Sequence, residues 1–92
     1  MTTPTELPVG RAETVIPHNH LMAGLLGTRD ELLRLIEQSF PDTRIVVQGN
    51  LITADGDDAE RVARLFDDLV LVLQSGQSLD AVTVARTIDM VR

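Results

Sequence analysis

The sequence predicts one small α+β domain: a three-stranded antiparallel sheet with helices on one face, plus a helix at the C-terminal end. Three observations carry this expectation. The chain has 92 residues, which bounds it to a single domain. Residues 44–48 (RIVVQ) and 51–54 (LITA) flank Gly49-Asn50, the spacing of a tight hairpin. Apolar residues at helical spacing stand before this hairpin and after it.

Residues 1–13, MTTPTELPVGRAE, hold two prolines, a glycine and scattered polar groups, and read as a disordered leader. The β-branched run Thr14-Val15-Ile16, stopped by Pro17, predicts a brief edge strand, so the domain is placed over 14–92. A short helix is expected to Leu26, with Asn19 as its cap and Gly27 as its stop. Thr28 then opens a second helix, since Thr28 and Glu31 have the spacing of a capping box. Its apolar stripe is Leu32, Leu35, Ile36 and Phe40, and Pro41-Asp42 ends it.

After the hairpin, Asp57 or Asp58 is expected to cap a long helix that runs to Gln74, with Gly76 as its stop. The segment 69–73, LVLVL, is apolar around nearly the whole helix and must be covered on more than one side. Ser78 is expected to cap a last helix whose apolar side is Leu79, Val82, Ala85, Ile88 and Val91.

Composition narrows the function. There is no Cys, so disulfides, thiolate nucleophiles and Cys-type zinc sites are excluded together. This fits a reducing compartment, and with no signal peptide or long apolar run a cytoplasmic, non-membrane domain is expected. Net charge is −6 and every basic side chain is an arginine, so long-range electrostatics repel phosphates. Phe40 and Phe66 are the only aromatics, which leaves little for base stacking and makes the core aliphatic.

No catalytic constellation is legible. His18 and His20 are two apart, poor spacing for a shared helix face, and metal ligation would need acids from elsewhere in the fold. Asp55, Asp57, Asp58 and Glu60 are dense but lack the twelve-residue calcium-loop pattern. Thr28 has no base at readable spacing. Arg29, Arg34 and Arg44 could form a modest basic patch, or stand as solvated surface arginines.

The order strand, helix, helix, strand, strand, helix resembles the K-homology (KH) fold, in which a GxxG loop between the first two helices clamps a nucleic-acid backbone. The pattern aligns on Leu26-Gly27, with Thr28 and Arg29 at the loop tip and Asp30 where a second glycine would stand. The literal Gly24-Leu25-Leu26-Gly27 falls a turn too early, with leucines where exposed residues are needed.

More narrowly, LMAGLLGTRDELLRLIEQSF and the later RIVVQGNLITADGDDAERVARLFDDLVLVLQSGQSL are similar to the N-terminal domain of PhoH-like ATP-binding proteins. The resemblance implies an ATPase domain beyond Arg92, which would hold ATP and magnesium. No cofactor, metal or catalytic residue is implied within this chain, which has no Lys and hence no phosphate-loop GK[ST]. It further implies an accessory role, positioning single-stranded RNA through Gly27, Thr28, Arg29, Arg34 and Arg44, or contacting the ATPase domain and other subunits of a homo-oligomer. The alternative is a pure protein-interaction domain with no nucleic-acid binding.

Overall fold

A computed structural model describes residues 10–92. The sheet comprises β1 (Arg11–Val15), β2 (Thr43–Gln48) and β3 (Leu51–Gly56) in the order β1-β3-β2, both pairings antiparallel. The helices are α1 (His20–Leu26), α2 (Glu31–Ser39), α3 (Ala59–Gln74) and α4 (Ala81–Val91), with a single 3-10 turn over Thr28–Asp30 between α1 and α2. The expected α+β class, three-stranded sheet and C-terminal helix are all present.

Strand alternation sorts the sheet into two faces. Thr14, Thr43, Ile52 and Ala54 are buried beneath the helices, with Ala12, Ile45 and Val47 packed at the margin of the core. Arg11, Glu13, Arg44, Gln48 and Asp55 are exposed on the opposite face. The hairpin is as read: Gln48 pairs with Leu51 across Gly49-Asn50.

β1 begins at Arg11, three residues before the expected strand, and reaches only to Val15. β3 runs on to Gly56, so Arg11, Ala12 and Glu13 find partners in Asp55, Ala54 and Thr53. Polar residues at 11 and 13 are accommodated because they point to the open face. Ile16 lies past the strand but is fully buried, and it exchanges hydrogen bonds with Asn50: the Ile16 N–H donates to the Asn50 carbonyl (2.8 Å), and Asn50 Nδ2 donates to the Ile16 carbonyl (3.0 Å). The part of the expected leader over residues 1–9 lies outside the described residues.

α3 is the central helix. Ala59, Val62, Leu65, Phe66, Leu69 and Val70 are buried, the i, i+3, i+4, i+7 set that a sheet-facing helix requires. Full burial of side chains such as Phe66 and Leu65 contributes roughly 1.5–3 kcal/mol each. Gly76, at φ 92°, ends the helix. The Gly76 N–H donates to the Leu73 carbonyl (3.0 Å) and the Gln77 N–H to the Val72 carbonyl (3.3 Å), the paired bonds of a Schellman stop.

Two expected caps are replaced. Asp58 holds the N-cap position of α3, but its side chain does not cap; Oδ1 instead accepts from Arg61 Nη1 at 2.7 Å. The Asp58 N–H donates to Thr43 Oγ1 (2.9 Å), which ties the helix start to β2. At α4 the cap is Asp80 and not Ser78: the Asp80 carboxylate accepts from the Thr83 N–H at 2.8 Å.

The apolar face of α4 also differs from the expected stripe. Val84, Thr87 and Ile88 are buried and Val91 half-buried, whereas Val82 is 65% exposed. A strict three-residue spacing drifts around a 3.6-residue helix, so Val82 and Ile88 cannot share a face. α4 packs on α3 and α2, and covers part of the apolar surface of α3. Leu71 stays open to solvent.

Candidate functional site

The joint between α1 and α2 carries the residues on which the sequence places most weight. α1 is anchored by Leu21 and Leu25 in the core, and Gly24 packs against Leu73 of α3; a Cβ there would stand 3.2 Å from Leu73 Cδ2. The first glycine of the literal GLLG is therefore a helix-packing position. Gly27 has φ 80° and ψ 176°, a region open essentially to glycine alone. A Cβ at Gly27 would meet Leu32 Cγ at 2.7 Å, so close approach as well as conformation requires glycine.

The capping box expected from Thr28 and Glu31 is not formed. Thr28 starts the 3-10 turn, and neither that turn nor α2 carries a side-chain cap hydrogen bond. The reason lies in the backbone. Arg29 (φ 54°, ψ 33°) and Asp30 (φ 59°, ψ 28°) are both left-handed. Two such residues reverse the chain between the helices and take Thr28 out of line with the first turn of α2. Each left-handed residue with a side chain costs about 1–2 kcal/mol, least for Asp, whose short polar side chain tolerates the region. Positive φ at Gly27 and Asp30 is a backbone conformation that two glycines three positions apart would adopt without strain.

The arginines divide. The Arg34 guanidinium, one turn into α2, donates to the Arg29 carbonyl, so these two residues meet at the joint. Arg44 lies on the open face of the sheet opposite Asp55, with Arg11 on the far side of the same carboxylate. It shares a shallow depression of about 260 Å³ with Arg11, Val46, Gln48, Thr53 and Asp55. The sequence had grouped Arg29, Arg34 and Arg44; the fold puts the first two on the helical layer and the third across the sheet.

Beside the joint is a groove of about 250 Å³, whose wall includes Gly24, Gly27, Thr28 and Glu31 on one side and Gln77 and Ser78 on the other. The S-G-Q-x-L text after α3 and the G-T-R text before α2 thus face each other. Sequence reading missed Gln77 and Ser78 as neighbours of Thr28, since nothing in a linear pattern reports an approach of segments some fifty residues apart. It missed Asp30's left-handed backbone too, although an Asp in a glycine register was a usable signal.

His18 and His20 stack with ring centroids 5.4 Å apart, at the exposed start of α1. Among the described residues no group of three or more His, Asp or Glu could hold a metal ion, and no helix is long and apolar enough to cross a membrane.

Fold and joint together define a small α+β module built around a strained, polar helix connection. The chain is similar to a segment of PhoH-like proteins: those of Mycobacterium bovis and of two strains of Mycobacterium tuberculosis are 35% identical to it over 72 residues. The matched region is 76% of this chain and 20% of each relative, so the chain spans about a fifth of the length of the curated relatives it matches. No family model and no solved structure matches it.

Proposed function

We propose that the chain is a non-catalytic, KH-like accessory module of a larger PhoH-like protein, and that it works by contact with the parent's other domains or subunits. The observation that carries this reading is the extent of the similarity: most of this chain matches, but only a fifth of the relatives does. The nucleotide and magnesium chemistry that the resemblance to PhoH-like ATP-binding proteins implies would belong to the rest of such a parent. The residues present do not fit it, because there is no lysine for a phosphate loop.

The local electrostatics favour a protein partner. Arg29 is flanked by Asp30 and Glu31, the Arg34 guanidinium is engaged by a backbone carbonyl, and the chain as a whole carries −6. Exposed Val15, Leu71, Val82 and Met90 offer apolar contact. One observation favours the second reading, RNA held at Gly27, Thr28 and Arg29: the joint keeps positive φ at both Gly27 and Asp30, the positions that align with the two glycines of a GxxG clamp.

The test is an NMR titration of the labelled chain, once with the remainder of the parent protein supplied in trans and once with short single-stranded RNA at low and moderate salt. The contact reading expects shifts with the protein and a flat response to RNA. Shifts at residues 27–31 with RNA, fading with salt and lost in Arg29→Glu, would replace it by the RNA reading.

A further inference from the structure

We infer that the α1–α2 joint is a two-state element. By holding the Arg29 carbonyl, Arg34 keeps Arg29 and Asp30 left-handed, and its release lets Thr28 cap an α2 lengthened by those two residues. The inference concerns the chain itself and stands whichever partner the joint meets.

Local sequence and observed backbone disagree at this joint. Thr28-Arg29-Asp30-Glu31 has the residues of a capping box, with Thr at the cap, Glu three residues on, and acids in the first turn. Yet the cap is absent, and two residues that could be helical are left-handed. A conflict between local preference and tertiary structure needs something to hold it. Two contacts do so: Leu32, 2% exposed, fixes the start of α2 in the core, and the Arg34 guanidinium donates to the Arg29 carbonyl.

That carbonyl is the pivot. In a helix that starts at Arg29 it is the acceptor for the Leu33 N–H, four residues on. In the observed state it receives a side chain reaching back from Arg34. The two arrangements therefore compete for one oxygen. Gly27, with no Cβ to restrict it, and Thr28 absorb the rotation that lengthening α2 demands, while α1 stays fixed through Leu21, Leu25 and the Gly24–Leu73 contact. Arg34 is exposed, and a charged acceptor binds a guanidinium more strongly than a neutral carbonyl does, so an anionic group that captures Arg34 shifts the joint to its capped state.

The test uses the isotopically labelled chain. Amide-to-Hα couplings and Cα shifts report the φ of residues 29 and 30, and hydrogen exchange reports protection of the Leu33 amide. In the wild type both residues read as left-handed. In Arg34→Met both move to helical values and the Leu33 amide slows; adding Thr28→Ala to Arg34→Met removes these helical signatures. Asp30→Gly, which makes the left-handed form easy to hold, keeps residue 30 left-handed even beside Arg34→Met. Left-handed couplings that persist in Arg34→Met would overturn the inference, as would helical values that Thr28→Ala leaves untouched.

Discussion

Replacing Gly27 by Ala tests the geometry of the joint most directly, with Gly76→Ala as its control. Both glycines have positive φ, 80° and 92°, but their surroundings differ. Nothing lies within 4 Å of a Cβ at Gly76, whereas one at Gly27 meets Leu32 Cγ at 2.7 Å and Glu31 Cγ at 3.1 Å. Leu32 is 2% exposed and has little room to retreat. For Gly27→Ala the backbone term is about 1–3 kcal/mol and overpacking adds about 1–3, against a gain of about 0.4–1 from the less flexible unfolded chain. The net expectation is about 3 kcal/mol.

Gly76→Ala carries only the backbone term less the same gain, about 1 kcal/mol. For a domain of this size these correspond to losses in Tm of about 12–24 °C and about 4–8 °C. Total stability at 0.05–0.15 kcal/mol per residue is about 5–14 kcal/mol, so both variants remain folded in water and can be compared. Far-ultraviolet circular dichroism is the assay, through thermal and urea unfolding, because the chain has neither Trp nor Tyr to fluoresce. Equal destabilisation of the two variants within about 0.5 kcal/mol, the ordinary scale of surface substitutions, would refute the crowding at Gly27.

Further outcomes are expected elsewhere in the molecule. Thr43→Val keeps shape but removes the acceptor for the Asp58 N–H in a side chain only 6% exposed, and should cost about 1–3 kcal/mol in urea unfolding. On α4, Val84→Ala should cost about 2 kcal/mol and Val82→Ala less than about 0.5, which an exchange of the two values would contradict. Hydrogen bonds from the Thr83 N–H and hydroxyl, with smaller contributions from the Val82 N–H and Arg86, hold the Asp80 carboxyl below its ordinary value of 3.8. The unfolded chain therefore binds the proton first, so the stabilisation from this cap is complete above that value and is lost as pH falls through the lowered one. Asp80→Asn should keep the cap near neutrality yet flatten this acid-side slope, as Tm measured against pH would reveal.

Much of the fold was legible in the sequence, and for physical reasons. Residues 59–70 show one helical period because one side of α3 faces the sheet, and that period survives in any chain with these residues. The Gly49-Asn50 hairpin and the Gly76 stop are written in local chemistry: few residue types suit such turns, so their identity reports the geometry. Where the sequence misled, long-range contacts had overridden local preference. Asp58 has the chemistry of a cap, but Arg61 takes its carboxylate and Thr43, fifteen residues away, supplies the acceptor for its N–H. The i+3 stripe on α4 failed because what α4 buries is set by α2 and α3, against which it packs.

By itself, then, the sequence determined the α+β class, the hairpin, the central helix and the lack of a lysine for phosphate-loop chemistry. All of these follow from residue identity and short-range periodicity. Only the tertiary structure decided that Arg29 and Asp30 are left-handed, that Arg34 closes on the Arg29 carbonyl while Arg44 stands across the sheet, and that Gln77 and Ser78 face Thr28. Each depends on where the packed core fixes the ends of a segment, and the energy of that core is shared among residues far apart in the chain.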